Sequence, residues 1–193
     1  MINSVNMKVL ILTLVFLIEP VSVSAQSITI LGNSPDAKEC FFSAGLAVQM
    51  QSTSRSELET CNNALTTHNL GVRDKAATYV NRGILYVALE EYQMAVNDYA
   101  SAMKLYPNFG AIYVNRGNLF FLGESYDSAI AEYTKALNLD VRQDYVAYLN
   151  RGMAYEKIGK LSDAVSDYRL AISLAPEWKA PKNKLERVLA KIN

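Results

Sequence analysis

The chain has 193 residues, and its nineteen basic and nineteen acidic side chains give a formal net charge of zero. This balance excludes a strong electrostatic attraction to nucleic acid or to an anionic membrane surface. No low-complexity tract or block of like charges divides the chain, and its length suits one domain with a hydrophobic core.

The first 25 residues are typical of a secretory signal peptide. Lys8 precedes an apolar run at residues 9–18 (VLILTLVFLI), which is shorter than the roughly 20 residues that a membrane-spanning helix needs. The sequence VSA, ending at Ala25, has the small residues that a signal peptidase cuts after. We expect cleavage there, a flexible lead-in over residues 26–35, and a periplasmic or secreted location. An uncleaved anchor helix is the alternative.

Residues 36–75 predict a pair of helices. Pro35 marks the first helix start, because a proline suits the first turn of a helix. Ser54 and, three residues later, Glu57 form a capping-box pattern that predicts where the second helix begins.

The only two cysteines, Cys40 and Cys61, fall one on each of these helices. In an exported chain they predict a disulfide bond, which typically stabilises by about 2–4 kcal/mol. The helical phase leaves Cys40 about one turn from the position that faces Cys61, so the bond requires a shifted first helix. Two separate buried thiols are the alternative. His68, the only histidine, lies in the next loop without metal-site spacing, and we interpret it as a surface residue.

A five-residue phrase recurs three times: YVNRG at residues 79–83, YVNRG at residues 113–117 and YLNRG at residues 148–152. Its asparagines are 34 and then 35 residues apart, an interval that indicates a solenoid of helical hairpins. Around each copy the apolar residues recur at helical intervals, and neither helix of a pair can bury its apolar stripe alone. We therefore predict an all-α fold of antiparallel helix pairs, over residues 76–109, 110–144 and 145–178.

This pattern resembles the tetratricopeptide repeat, whose signature is an aromatic, Gly and aromatic on the first helix, then Ala, aromatic, Ala and Pro. In the last copy the signature residues are Tyr148, Gly152, Tyr155, Ala164, Tyr168, Ala171 and Pro176. In the copy before it, Val141 stands in place of Pro beside one extra residue, so we expect a looser turn. Residues 36–75 fit as a degenerate first repeat, with Cys61 at the tyrosine position. The resemblance implies a right-handed superhelical solenoid.

Residues 179–193 predict a C-terminal capping helix, with Pro181 near its first turn. One face is apolar, and we expect it to pack inward: Leu185, Val188, Leu189 and Ile192. The opposite face is basic, and we expect it to face solvent: Lys182, Lys184, Arg187 and Lys191. A basic docking surface is the alternative interpretation.

The arginine of the repeated phrase departs from the tetratricopeptide pattern, which usually has leucine there. Each copy has an acidic residue sixteen positions later, directly before the tyrosine of the second helix. Sixteen residues across an antiparallel hairpin bring two positions level, so we predict one ion pair in each hairpin. The pairs are Arg82 with Asp98, Arg116 with Glu132, and Arg151 with Asp167. An exposed arginine row that binds ligand carboxylates is the alternative.

The asparagines of the phrase point about 160° away from the packing face. In a stacked array they form a row along the concave wall: Asn81, Asn115 and Asn150. The same angles place a largely apolar wall beside them: Val80, Ile84 and Val87, Val114, Asn118 and Phe121, then Leu149, Met153 and Glu156. The resemblance implies that these asparagines hold the backbone of an extended peptide, since an amide is both donor and acceptor. Alternatively they bond only to neighbouring helices, or the C-terminal helix folds back over the groove.

No phosphate-binding glycine loop, nucleophile elbow or metal motif occurs, so we expect no enzymatic activity, metal or cofactor. The leading interpretation is an exported adaptor whose groove binds a peptide or protein partner. Analogy of fold suggests the assembly of an envelope complex. The alternative is a structural homo-oligomeric spacer whose groove is filled by its own C-terminal helix or by another copy. We expect no nucleic-acid partner and no stable membrane insertion after signal cleavage.

Overall fold

The computed structural model describes residues 34–50, 52–67, 70–139 and 141–192. The expected signal peptide, its cleavage site, most of the lead-in and His68 lie outside the described residues. Within those ranges the chain forms nine α-helices and no strand. They are α1 (Pro35–Met50), α2 (Arg55–Thr67), α3 (Val72–Ala88), α4 (Tyr92–Leu105), α5 (Gly110–Leu122), α6 (Tyr126–Asn138), α7 (Asp144–Lys157), α8 (Leu161–Leu174) and α9 (Lys179–Ile192).

The helices pack as four consecutive hairpins followed by a single helix. The partners within hairpins are α1 with α2, α3 with α4, α5 with α6 and α7 with α8, and the second helix of each hairpin packs on the next helix of the chain. We call α1, α3, α5 and α7 the first helices of their hairpins. This arrangement confirms the predicted all-α helical repeat solenoid.

A glycine lies beneath a tyrosine ring in three of the hairpins. A Cβ atom at Gly83 would lie 2.5 Å from Tyr99 Cε1, and one at Gly117 would lie 2.6 Å from Tyr133 Cε1. The equivalent distance at Gly152 is 2.7 Å, again to a buried tyrosine. These distances are too short for any side chain, so only glycine lets the ring approach the first helix this closely.

The turns inside these hairpins share one backbone conformation. Glu90 and Glu124 have φ angles of 61° and 57°, and Gly159 at the equivalent place has a φ of 77°. The following residue closes each turn, as where the N–H of Ser125 bonds to the carbonyl of Phe120 at 2.8 Å. This is a Schellman-type helix end, which favours glycine at the left-handed position.

The first hairpin is held differently from the others. Cys40 and Cys61 form the predicted disulfide, with their Cα atoms 4.8 Å apart. An added Cβ at Gly45 would meet no atom within 4 Å, so no ring packs on this glycine. The covalent bond therefore stands where the other hairpins have a glycine under a tyrosine.

The predicted starts of the first two helices are confirmed by their caps. α1 begins at Pro35, and the hydroxyl of Ser34 accepts a hydrogen bond from the N–H of Ala37 at 3.1 Å. At the start of α2 the carboxylate of Glu57 accepts the N–H of Ser54 at 2.8 Å. Both contacts satisfy backbone donors that the first turn of a helix or its cap leaves free.

The C-terminal helix α9 packs on α8 as a cap, but its inward face is narrower than predicted. Val188 is buried, whereas Leu189 is 36% exposed and Ile192 is 51% exposed. The prediction that these two side chains pack inward was wrong. Because α9 has described neighbours on one side only, the edge of its apolar stripe stays in solvent.

Candidate functional site

Three buried asparagines occupy the first helices of the last three hairpins. Asn150 of α7 reaches α5, where its Nδ2 donates to Asn118 Oδ1 at 3.0 Å. The hydroxyl of Tyr133 donates to the same oxygen at 2.9 Å. Asn81 and Asn115 are equally buried and also take part in interactions. Asn150 therefore bonds to a neighbouring first helix, as one of the two sequence-based alternatives proposed.

The apolar wall expected beside the asparagines is not open. Seven of its nine members are at most 9% exposed, and the apolar ones among them belong to the hydrophobic core: Val80, Ile84, Val114, Asn118, Phe121, Leu149 and Met153. The other two, Val87 and Glu156, are half-buried. The expectation that packing leaves these side chains uncovered was wrong. Part of the reason is that consecutive first helices touch one another, α1 with α3, α3 with α5 and α5 with α7. We call the side of α3, α5 and α7 that carries these residues the concave face.

One acceptor on this face lacks a donor. Asn150 is 1% exposed, and its Oδ1 has no hydrogen-bond partner within the part of the chain that the structure describes. Buried acceptors are nearly always satisfied, so an unpaired one indicates a position where a donor from another segment would be favourable.

The three predicted ion pairs are all present. Arg82 contacts Asp98 with Nε and Nη2 at 2.8 and 2.7 Å, and Arg151 contacts Asp167 with the same two atoms at 2.8 Å each. Arg116 makes the equivalent two contacts with Glu132. The acidic side chains are mostly buried, so these arginines are engaged inside the hairpins rather than arrayed as a carboxylate-binding row.

Each arginine also reaches the preceding hairpin, which the sequence did not indicate. Its Nη1 meets an atom of the previous second helix: Asn62 Oδ1 at 2.6 Å from Arg82, Met103 Sδ at 2.7 Å from Arg116, and Thr134 Oγ1 at 3.0 Å from Arg151. The acceptors differ in chemical type and in distance along the sequence, so no repeated motif could reveal them. The arginine therefore joins two hairpins as well as two helices.

Aromatic rings complete the environment of these arginines. Arg82 Cζ lies 5.5 Å from the ring centroid of Tyr79 and 5.7 Å from that of Tyr86. Burial lowers the pKa of Arg82, but the hydrogen bonds and charge of Asp98 outweigh it and raise the pKa overall. In the last hairpin the hydrogen bonds from Asp167 are the main cause of the raised pKa of Arg151. The ion pairs therefore favour the charged form of the Arg82 and Arg151 guanidinium groups.

Glu156 lies at the C-terminal end of the concave face and ties α9 to α7. Its carboxylate accepts hydrogen bonds from Lys191 Nζ at 2.7 Å, Arg187 Nη2 at 3.0 Å and the Tyr168 hydroxyl at 3.0 Å. Burial alone would raise the pKa of Glu156, but these donors outweigh it and lower the pKa. Arg187 and Lys191 are exposed as predicted, at 51% of each side chain, and their charged ends also contact this carboxylate.

Two further features bear on function. Among the described residues no group of three or more His, Cys, Asp or Glu side chains is arranged to hold a metal ion. None of the nine described helices has the length and apolar character that crossing a membrane requires.

Comparison with known proteins places this geometry in context. Tetratricopeptide repeat family models match residues 80–145 and 145–177. The Arabidopsis OM64 TPR domain is 28% identical, over 63% of this chain and 99% of that one, with a TM-score of 0.59. The first TPR of Spaghetti (RPAP3), solved with the HSP90 peptide SRMEEVD, is 25% identical over 62% of this chain and 94% of that one, with a TM-score of 0.59.

A third structure shows the same fold at lower identity. PilW, a widely conserved type IV pilus biogenesis factor, is 19% identical over 81% of this chain and 70% of that one, with a TM-score of 0.67. No curated protein matches this sequence.

Proposed function

Because this chain belongs to the tetratricopeptide repeat family, we propose that it is an exported adaptor whose concave face binds a peptide or protein segment. The family's repeats are protein-interaction modules, and the RPAP3 domain similar to this chain was solved with a bound peptide. The binding residues on this proposal are the asparagines and the apolar side chains beside them on α3, α5 and α7. They are buried in the unbound chain, so binding on this proposal requires neighbouring first helices to separate. The chain itself carries out no catalysis and needs no cofactor.

The observation that carries the proposal is the unpaired oxygen of Asn150. It is a buried acceptor next to Asn118, set among apolar side chains on the concave face. A backbone N–H of a bound segment would satisfy it, while the apolar neighbours would contact the side chains of that segment. A protein segment fits this surface better than nucleic acid, because the surface is apolar and the chain has no net charge.

Export is supported by the disulfide. Bonds such as Cys40–Cys61 form and persist in oxidising compartments, and the first 25 residues are typical of a signal peptide. We therefore place the protein in the periplasm or outside the cell, where an adaptor of this size would join components of an envelope complex.

The test compares two asparagine variants of the exported, processed protein. Once the partner is identified by cross-linking in the envelope, its affinity is measured by calorimetry for wild type, Asn150→Ala and Asn138→Ala. Asn138 is an exposed residue at the end of α6 and serves as the matched control. We expect Asn150→Ala to weaken binding about tenfold, equivalent to one hydrogen bond of about 1.4 kcal/mol, and Asn138→Ala to leave it unchanged. Equal affinities for all three proteins would contradict the proposal.

A homo-oligomeric spacer is the second candidate, and exposed apolar side chains favour it. Phe42, Leu46 and Met50 form an exposed stripe along α1, and Leu189 and Ile192 are exposed on α9 at the other end. Stacking copies end to end would cover both surfaces. The mass in solution separates the two candidates: a monomer at micromolar concentration supports the adaptor, and a stable higher mass supports the spacer.

A further inference from the structure

The connection between α8 and α9 lines an open groove at the C-terminal end of the array. The groove has a volume of about 530 Å³, and it is lined by Tyr145 of α7 together with Ala175, Pro176, Glu177 and Trp178. None of these five residues belongs to the concave face. Glu177 is the only charged residue among the five, and its side chain is exposed.

Two aromatic rings form much of the apolar part of this groove. The rings of Tyr145 and Trp178 meet edge to face, with their centroids 5.5 Å apart and an interplanar angle of 77°. Both residues are half-buried and pack against the hydrophobic core, while part of each also lines the groove. Such rings attract cations, because the π-electrons make the face of an aromatic ring negative. The groove therefore combines two aromatic rings with one carboxylate.

The same combination of groups surrounds two arginines inside the fold. Arg82 Cζ lies 5.5 Å and 5.7 Å from the ring centroids of two tyrosines, and its side chain pairs with Asp98. Arg151 Cζ lies 5.5 Å and 5.9 Å from two tyrosine rings, and its side chain pairs with Asp167. In both hairpins two aromatic rings and one carboxylate thus hold a guanidinium group. This recurring environment indicates which kind of ligand the groove fits.

An equivalent turn earlier in the array supplies a cation from the chain itself. Residues 107–109 (PNF) connect α4 to α5 in the way that residues 176–178 (PEW) connect α8 to α9. At the earlier turn Arg73 Cζ lies 5.8 Å from the ring centroid of Phe109. At the later turn, within the part of the chain that the structure describes, no cation lies over the ring of Trp178 or pairs with Glu177. The later turn can therefore accept a cation from another molecule.

We propose that this groove binds an arginine side chain of a partner protein. The planar guanidinium stacks on an aromatic ring and donates two N–H groups to the Glu177 carboxylate. Glu177 repels an acidic side chain, and an uncharged side chain gains only the contact with the rings. Because the groove is separate from the concave face, this inference goes beyond the proposed function and does not depend on it. Failure of the Asn150→Ala test would leave it unaffected.

The test uses the fluorescence of Trp178, which is the only tryptophan of the chain and lines the groove. The exported, processed protein is titrated with N-acetylarginine amide and, separately, with N-acetylcitrulline amide, in which a neutral urea group replaces the guanidinium. The ionic strength is kept low and constant, because salt screens an exposed ion pair. We expect the arginine compound to bind about fivefold more tightly than the citrulline compound. Equal affinities, or no change in fluorescence with either compound, would overturn the proposal.

Two variants with the same change of charge separate the groove from the rest of the surface. Glu177→Gln removes the carboxylate that lines the groove, and Glu186→Gln removes an exposed carboxylate on α9 that does not line it. We expect Glu177→Gln to reduce the preference for arginine over citrulline to about twofold, because the rings remain, and Glu186→Gln to leave it unchanged. The same preference in both variants would show that Glu177 does not bind the guanidinium, and would overturn the proposal.

Discussion

The residues of the repeated NRG phrase have three separate roles. The asparagine lies on the concave face, where Asn150 bonds to Asn118. The arginine pairs with an acid of its own hairpin and contacts the hairpin before it. The glycine gives room to a tyrosine ring. The phrase therefore recurs because the first helix of each hairpin needs an asparagine, an arginine and a glycine at these three consecutive positions.

Removing one arginine should destabilise the fold strongly. Arg151→Met leaves Asp167, whose side chain is 5% exposed, as an unpaired buried charge. We expect a loss of about 3–5 kcal/mol in the free energy of unfolding, measured by urea denaturation. The double variant Arg151→Met/Asp167→Leu should recover most of it, and Arg169→Met on the exposed face of α8 should change it by less than about 0.5 kcal/mol. A double variant no more stable than the single one would show that the unpaired charge is not the cause.

Two glycine substitutions should have opposite effects. Gly117→Ala places a methyl group 2.6 Å from Tyr133 Cε1, and we expect it to cost about 1–3 kcal/mol. Gly45→Ala meets no atom within 4 Å in the interior of α1, and we expect it to stabilise by about 0.5–1 kcal/mol. Thermal unfolding of both variants checks this, and equal shifts in Tm would argue against the glycine–tyrosine contact.

The end of a helix, and its attachment to a neighbouring helix, depend on contacts that the hydrophobic pattern of the sequence does not predict. The hairpin turns need a left-handed residue, and two of the three have glutamate there. The cap α9 is tied to α7 through the carboxylate of Glu156 rather than through its apolar stripe alone. Both features concern the end or the attachment of a single helix.

The turn residues should respond to glycine and alanine with opposite signs. Glu124 has a φ of 57°, so Glu124→Gly removes backbone strain of about 1 kcal/mol. Gly159 has a φ of 77°, so Gly159→Ala introduces a similar strain. We expect the first variant to have a higher Tm than wild type and the second a lower one. A lower Tm for Glu124→Gly would mean that the glutamate side chain stabilises the turn by more than the strain costs.

The attachment of α9 should weaken in acid. The pKa of Glu156 is lowered in the folded protein from its ordinary value of 4.5. Its contribution to stability is therefore complete above about pH 4.5 and is lost as the pH falls through the folded pKa. We expect hydrogen exchange in α9 to speed up between pH 5 and pH 3 by about tenfold more in wild type than in Glu156→Gln, after correction for intrinsic rates. Parallel pH profiles would rule out this carboxylate as the acid-sensitive group.

At the scale of the whole molecule, neighbouring hairpins stabilise one another. Each arginine contacts the hairpin before it, so the last three hairpins are linked in series with the first. A terminal repeat has a neighbour on one side only, and its stability depends more on its own bonds. In the first hairpin that bond is the disulfide.

Reduction of Cys40–Cys61 should therefore loosen the N-terminal end first. We expect the Cys40→Ser/Cys61→Ser variant to lose about 2–4 kcal/mol and to exchange its α1 and α2 amides faster than those of α7 and α8. Uniform acceleration over all helices would indicate that the array unfolds as one unit.

The sequence by itself determined the parts that depend on periodicity and local geometry. The interval of 34 to 35 residues specified helical hairpins, a separation of sixteen residues identified the three ion pairs, and the two cysteines identified the disulfide. Only the tertiary structure decided how exposed the concave face is and which atom of the preceding hairpin each arginine contacts. It also decided that Arg187 and Lys191 contact Glu156. Those features depend on the distance and rotation between neighbouring hairpins. Helical periodicity does not determine them, because it fixes only the direction of each residue around its own helix axis, and that direction is the same however closely the next hairpin packs.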